Sequence, residues 1–315
     1  MHPAFSVIVF TAASGAGYGL LIAFALLTLL APGAIERPFA LTTLILALAI
    51  VTAGLASSTL HLGRPERAWR ALSQWRSSWL SREGVLAIVA YVPAGLLALA
   101  WMISPEPGAA AGLFALLTIP AALSTTYCTA MIYASLKTVH QWHNRFVVPN
   151  YYALSFFCGA LLLSAVLHLF GRGVVAVDVA ALLAGGAALA LKLAYWRFID
   201  GSSSASTPES ATGLGAFGTV RLFEAPHTEE NYLMREMGFA IARKHAAKLR
   251  ALTLAALFAL PLLLILLGLL AGGTPAAAFA TLAVISAGAG VLAERWLFFA
   301  EAKHTVMLFY GARAA

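Results

Sequence analysis

The sequence predicts an all-α integral membrane protein, a bundle of eight transmembrane helices with N- and C-termini in the cytoplasm. Three observations carry this. The 315 residues are 61% hydrophobic and only 10% charged, with mean hydropathy +0.86. A soluble domain holds about 45–50% apolar and about 25% charged residues. Eight apolar runs are each long enough to cross a bilayer, which takes about 20 residues. Of the 20 Lys and Arg residues, 18 fall on one side of the resulting topology, and the positive-inside rule makes that side cytoplasmic. Alternating ten-residue strands, the mark of a membrane β-barrel, are absent. The chain 1–315 reads as a single transmembrane domain.

The runs cover about 5–30, 39–60, 83–103, 109–135, 149–170, 174–196, 251–271 and 276–300. Pro32-Gly33, Pro38, Pro105, Pro107, Gly171, Gly173, Gly272-Gly273 and Pro275 punctuate the gaps, as helix breakers do. The first run carries Ser14-Gly15-Ala16-Gly17-Tyr18-Gly19. No strand precedes it and it lies in mid-membrane, so it reads as close helix packing through small residues, not as a phosphate loop. In the fourth run, Ser124, Thr125, Thr126, Tyr127, Thr129 and Tyr133 are expected to bond their own backbone or a neighbouring helix, with a face lining a polar pocket as the alternative. Cys128 and Cys158 lie in apolar runs without CxxC spacing. They read as packing residues, and no metal or iron–sulfur site is expected in this chain.

The segments 61–82, 136–148, 197–250 and the tail share the basic side, and only Arg37 and Arg172 lie opposite. The N-terminal MHPAFSVIVF has no basic region and no cleavage site, and reads as a mature start without a signal peptide. The loop 197–250 contains GSSSASTP at 201–208, a flexible linker composition. Thr228, followed by Glu229 and Glu230, is the expected N-cap of a helix running unbroken into the seventh span. That helix ends in Arg243, Lys244, His245, Lys248 and Arg250, which suit an anionic-lipid anchor or a docking surface. The net charge of +7 is dispersed along membrane edges, so it reads as topology and nucleic acid is no expected partner.

The densest polar stretch is LHLGRPERAWRALSQWRSSWLSREG, Leu60 to Gly84. It holds Arg64, Arg67, Arg70, Arg76 and Arg82, with Trp69, Trp75 and Trp79 between them. The spacing suits a short helix lying in the interface. His61 ends the second span and Glu83 opens the third, at the same membrane edge. Quinone chemistry needs an apolar slot, hydrogen-bond partners for two carbonyls and a titratable group. Histidine titrates near neutrality, and a glutamate at a low-dielectric edge can carry protons. His61 and Glu83 are the expected catalytic pair, with Arg64 and Trp79 lining the same quinone site. A first-turn glutamate favoured by the helix dipole and paired with Arg82 or Arg64 is the plainer reading of Glu83.

A b-type haem would need histidine pairs within the spans. His2, His61, His140, His143, His227, His245 and His304 fall at the basic edge or in its loops, and His168 lies near the other edge. No haem is expected. Glu294-Arg295 near the end of the eighth span is expected to snorkel or to bond across helices.

The sequence resembles the membrane anchor subunits of the dimethyl sulfoxide reductase type, the DmsC-like family. HPAFSVIVFTAASGAGYG at 2–19, the stretch 60–84, IYASLKTVHQW at 132–142, HTEENYLMREMGFAIARKHAAKLR at 227–250 and ERWLFFAEAKH at 294–304 carry the likeness. The resemblance implies an eight-helix, haem-free subunit in a bacterial inner membrane that binds menaquinone or ubiquinone. It would sit under an iron–sulfur subunit and a molybdopterin catalytic subunit. The family's quinol site includes a histidine and a glutamate that fall on His61 and Glu83. Members of this type anchor dimethyl sulfoxide reductases, which oxidise quinol, or cytoplasm-facing sulfite dehydrogenases, which reduce quinone. The cytoplasmic loops favour the second. A purely structural anchor and a secondary transporter are the alternatives. A transporter would place polar or unwound elements at mid-bilayer in both halves, and the polar residues here gather at one edge.

Overall fold

A computed structural model describes residues 2, 4–60, 63–224, 227–238 and 241–314, leaving aside the side chains of Pro65 and of 241–244. Among the described residues there is no strand, and eight helices are long and apolar enough to cross a membrane. They are α1 Phe5–Leu30, α2 Arg37–Thr59, α3 Trp79–Ile103, α4 Gly108–Ala134, α5 Val147–Leu169, α6 Val175–Gly201, α7 His245–Ala271 and α8 Gly273–Ala300.

Helices α1 and α5 form the buried centre. Helix α1 packs on α2 and α4, and α5 packs on α6 and α8. Small residues let the two central helices meet: a Cβ on Gly19 would overlap the Ser155 carbonyl, and one on Gly159 would overlap the backbone of Gly19. Ser155 Oγ donates to the Gly15 carbonyl at 2.6 Å across the same contact. The glycine cluster is thus a packing device, as close-approach membrane interfaces are. Thr118, Thr125, Thr126 and Thr129 all donate to the carbonyl four residues back. Both cysteines are buried and free.

Helix α7 contains one π-helical turn, Leu254–Ala259. Pro261 follows and has no N–H to give to the preceding turn. Ser286 on α8 donates to the Ala256 carbonyl at 2.7 Å, meeting a carbonyl of the widened turn.

The loops gather at two distinct ends. At one end, His2 N–H donates to the Glu236 carbonyl (2.6 Å), Thr305 N–H to the Thr138 carbonyl (3.0 Å) and Lys303 N–H to Gln141 Oε1 (3.1 Å). This joins the N-terminus, the 136–146 loop, the long loop and the tail. At the other end, Arg172 meets Glu36 and the Ala34 carbonyl, and Arg37 meets the Met102 carbonyl.

Two local expectations are corrected. The segment after Arg64 is a 3-10 helix, Pro65–Gln74, so its side chains repeat every three residues and Trp69 and Trp75 both stay exposed. The helix expected to start at Thr228 and run unbroken begins instead at Tyr232 and ends at Met237. Asn231 outcompetes Thr228 as cap because its Oδ1 accepts from Met234 N–H at 2.9 Å. At Gly238 a Cβ would overlap the Met234 carbonyl, and the helix stops there before Ile241–Thr253 leads into α7.

Candidate functional site at the basic end

The first turn of α3 is built by the segment that covers it. Ser78 caps the helix, its Oγ accepting from Ser81 N–H at 3.4 Å. Ser81 Oγ in turn donates to the Ala71 carbonyl. Arg82 donates to the carbonyls of Trp75 (2.9 Å) and Arg76 (2.6 Å). Its guanidinium lies 4.3 Å from the Trp79 ring centroid, and Trp79 meets Tyr127 edge-on at 5.7 Å. Leu72 closes over Gly84, where a Cβ would strike it. Every polar group of Arg82 named here turns outward, toward the covering segment.

Glu83 turns the other way. It is 4% exposed, and its Oε1 has no hydrogen-bond partner among the described residues. Its charge reaches Tyr18 on α1 and Cys128 and Tyr133 on α4. The Tyr18 hydroxyl is buried too, with the Thr125 side chain as its polar neighbour. The expected pairing of Glu83 with Arg82 is absent, because Arg82 is spent on Trp75, Arg76 and Trp79. Arg64 is exposed at the start of the covering segment, and Trp79 is half-buried beside α4. His61 lies outside the described residues.

Next to Tyr18 begins an apolar groove of about 490 Å³. Gly19, Ile22 and Leu30 of α1 line one wall, with Leu123, Phe156 and Val177 facing them. It leads from mid-membrane toward the opposite end. A buried carboxyl with one oxygen unpartnered among the described residues, a buried phenol and a hydrocarbon-lined groove suit a ligand with a polar head and an apolar tail.

A second buried cluster lies across α1 from Glu83. Glu294 on α8 is fully buried and forms ion pairs with Lys192 of α6 and with Arg295, whose Nε donates to Glu294 Oε2 at 2.5 Å. Of the two expectations for Glu294, bonding across helices is the one the structure shows. Lys192, which the sequence puts at the basic membrane edge, has a side chain only 2% exposed, under the rings of Tyr195 (4.5 Å) and Trp196 (5.5 Å). Nearer the end of the bundle, Arg250 holds Asp200 through two bonds (2.6 and 2.9 Å) and Glu301 through Nε (2.8 Å).

Sequence reasoning missed Tyr18, Lys192 and Tyr151. The signals were thin: a tyrosine inside a glycine cluster, and one lysine inside the apolar run 174–196. Of the histidines, His168 sits at the far end, where its Nε2 lies 3.0 Å from Asp178 Oδ2. Ser164 donates to the other oxygen of that carboxylate at 2.5 Å. Among the described residues no group of three or more His, Cys, Asp or Glu is placed to hold a metal ion.

The family described as DMSO reductase anchor subunit (DmsC) matches residues 1–312. The chain is 35% identical to a sulfite dehydrogenase subunit of Allochromatium vinosum over the full length of both chains. It is 27% identical to the anaerobic dimethyl sulfoxide reductase chain YnfH of Escherichia coli, over 36% of this chain and 40% of that one. No solved structure matches.

Proposed function

The chain belongs to the family of dimethyl sulfoxide reductase anchor subunits, and from that premise we propose that Glu83 is the proton-handling group of a quinone site in this membrane anchor. The observation that carries it is the Glu83 carboxyl, buried and without a hydrogen bond at Oε1 among the described residues, while the contacts of Arg82 beside it point to the covering segment.

A bound quinone supplies two-electron, two-proton redox chemistry, with menaquinone and ubiquinone as the two candidates. Glu83 gives or takes the proton at its unpartnered oxygen. The Tyr18 hydroxyl, near Glu83, is the group this reading assigns to bond a ligand oxygen. The groove from Gly19 to Leu30 seats an isoprenoid tail. The covering segment, clamped by Ser81, Arg82 and Leu72, keeps bulk water from the carboxyl. His61 is assigned to bond the quinone or hold Glu83, with Arg64 and Trp79 at the rim.

Both termini and the basic end face the cytoplasm in this reading, in a bacterial inner membrane, by the basic-residue split. An iron–sulfur subunit docks there, on the segments 61–82, 136–148 and 209–250, and passes electrons to or from a molybdopterin catalytic subunit. The full-length likeness to a sulfite dehydrogenase subunit favours electron flow into quinone over the dimethyl sulfoxide direction.

The test is Glu83→Gln in the intact complex. It keeps shape and removes the titratable charge. Quinone-linked turnover is expected to fall by about 10²–10⁴, the usual loss for a general acid–base group. The complex still assembles, and its partner subunits still turn over with a redox dye. Unchanged quinone turnover would return Glu83 to the role of a helix-start residue.

A further inference from the structure

Between α1, α5 and α8 lies a small cavity of about 20 Å³, lined by Thr11, Gly15, Tyr151, Ser155, Cys158 and Arg295. It is polar where it matters. Arg295 and Tyr151 line it, both more than nine-tenths buried; the guanidinium lies 4.2 Å from the Tyr151 ring centroid, and Arg295 Nη1 and the Tyr151 hydroxyl have no hydrogen-bond partner of good geometry among the described residues. A buried water needs about 10–15 Å³ and two to four polar partners. These two atoms are two such partners. Thr11 Oγ1 and Ser155 Oγ, which donate to backbone carbonyls, have lone pairs left to accept.

We propose that this cavity holds a buried water on Arg295 and Tyr151, and that the water and the pair Tyr151–Tyr133 form a proton line joining the Lys192–Glu294 cluster to Glu83. This rests on the reading of Glu83 given above.

The line starts at the surface of the basic end. Asp200, Arg250, Glu301 and Lys303 line a cavity of about 340 Å³ there. The Asp200 side chain is 57% exposed. Glu301 Oε2 has no hydrogen-bond partner among the described residues, and burial pushes the Glu301 carboxyl above the usual carboxylate range, against the pull of Arg250. Arg250, which holds Glu301, lies 5.2 Å from the Trp196 ring centroid, and Lys192 lies 5.5 Å from the same ring. The next group has two states one proton apart. With Lys192 neutral, Glu294 and Arg295 balance; with Lys192 protonated, the cluster carries one net positive charge. Arg295 stays charged throughout and orients the water. Tyr151 stacks on Tyr133 with ring centroids 6.0 Å apart. Tyr133 lies in the last turn of α4, and α4 packs on α3, whose start carries Glu83.

The proton balance is simple. Electrons come from the iron–sulfur partner, and each quinone takes two protons. For every proton that leaves Glu83, Tyr133 donates its hydroxyl proton and accepts another from the Tyr151 side. Each hydroxyl gives one proton as it takes one. The cluster refills from the Asp200–Glu301 cavity, and the reverse order serves quinol oxidation.

Three variants of the intact complex test it. Tyr133→Phe and Tyr151→Phe remove a hydroxyl and keep the rings. Cys158→Val fills the cavity and touches no hydroxyl. Each is expected to lower quinone-linked turnover at least about tenfold and to raise its solvent deuterium isotope effect, with the quinone dissociation constant unchanged. Wild-type turnover and isotope effect in all three, with Glu83→Gln inactive, would overturn the line and leave the Glu83 reading standing. That result would place proton entry through the covering segment. A tyrosine variant that fails to assemble leaves Cys158→Val as the deciding case, and wild-type turnover there overturns the line.

Discussion

Two glutamates are buried at the same end of this bundle, and they are built in opposite ways. Glu294 is surrounded: Lys192 and Arg295 both hold it, and two aromatic rings cover the lysine. Glu83 has no hydrogen bond at Oε1 and no ion pair among the described residues, and its neighbouring arginine is turned outward to backbone carbonyls and Trp79. A charge that is paired on both oxygens locks helices together, because breaking the pair leaves an uncompensated charge in low dielectric. A carboxyl left without a partner is free to exchange its proton, and intramembrane groups of that kind mark function. Residue type and burial are the same in the two places; the partners decide what each does.

The largest expected effect breaks this contrast at Glu294. Glu294→Gln strands Lys192 and Arg295 as buried cations and should cost about 3–5 kcal/mol, read as lost thermal stability of the purified complex. Glu83→Gln strands no cation and should cost under about 1 kcal/mol by the same measurement. Equal losses would show that Glu83 has a charged partner after all. The contrast sharpens if Lys192→Met, Glu294→Leu and Arg295→Met are combined. Removing all three charges together should recover most of the loss, because well-packed apolar residues often replace buried ion clusters at no cost.

Smaller effects test the frame that holds the two sites apart. Gly19→Ala drives a methyl into the Ser155 carbonyl and should cost about 1–3 kcal/mol of overpacking. Gly15→Ala on the same helix meets nothing within 4 Å and serves as the control. Smallest of all, Arg82→Ala removes a cation–π contact and two bonds to the covering segment. The loss should be about 1 kcal/mol, seen as faster amide exchange across 66–77 with exchange in the core of α1 unchanged.

The spans were legible because bilayer length and hydropathy act on composition alone, and their edges agree with the helices to within a few residues, except where α6 runs on to Gly201 and α7 begins at His245. The glycine cluster and the self-bonded threonines were legible for the same local reason. What could not be read was which way adjacent residues turn. Arg82 and Glu83 are neighbours in sequence, and their spacing suggested a pair. On a helix, consecutive residues diverge by about 100°, so one met the covering segment and the other the interior. Lys192 looked like an edge residue because its partner, Glu294, belongs to a helix far along the chain, and nothing local announces the pairing. The cap at Asn231 was missed because Thr228 and Asn231 are both good caps, and the backbone geometry chose between them.

The central claim is that the Glu83 carboxyl exchanges a proton as the quinone changes redox state. Infrared difference spectra of the intact complex, quinone oxidised against reduced, measure this directly. The account predicts a carboxylic-acid C=O band that shifts in D₂O and disappears in Glu83→Gln, with the quinone bands retained. The same carboxyl band surviving in Glu83→Gln would contradict it.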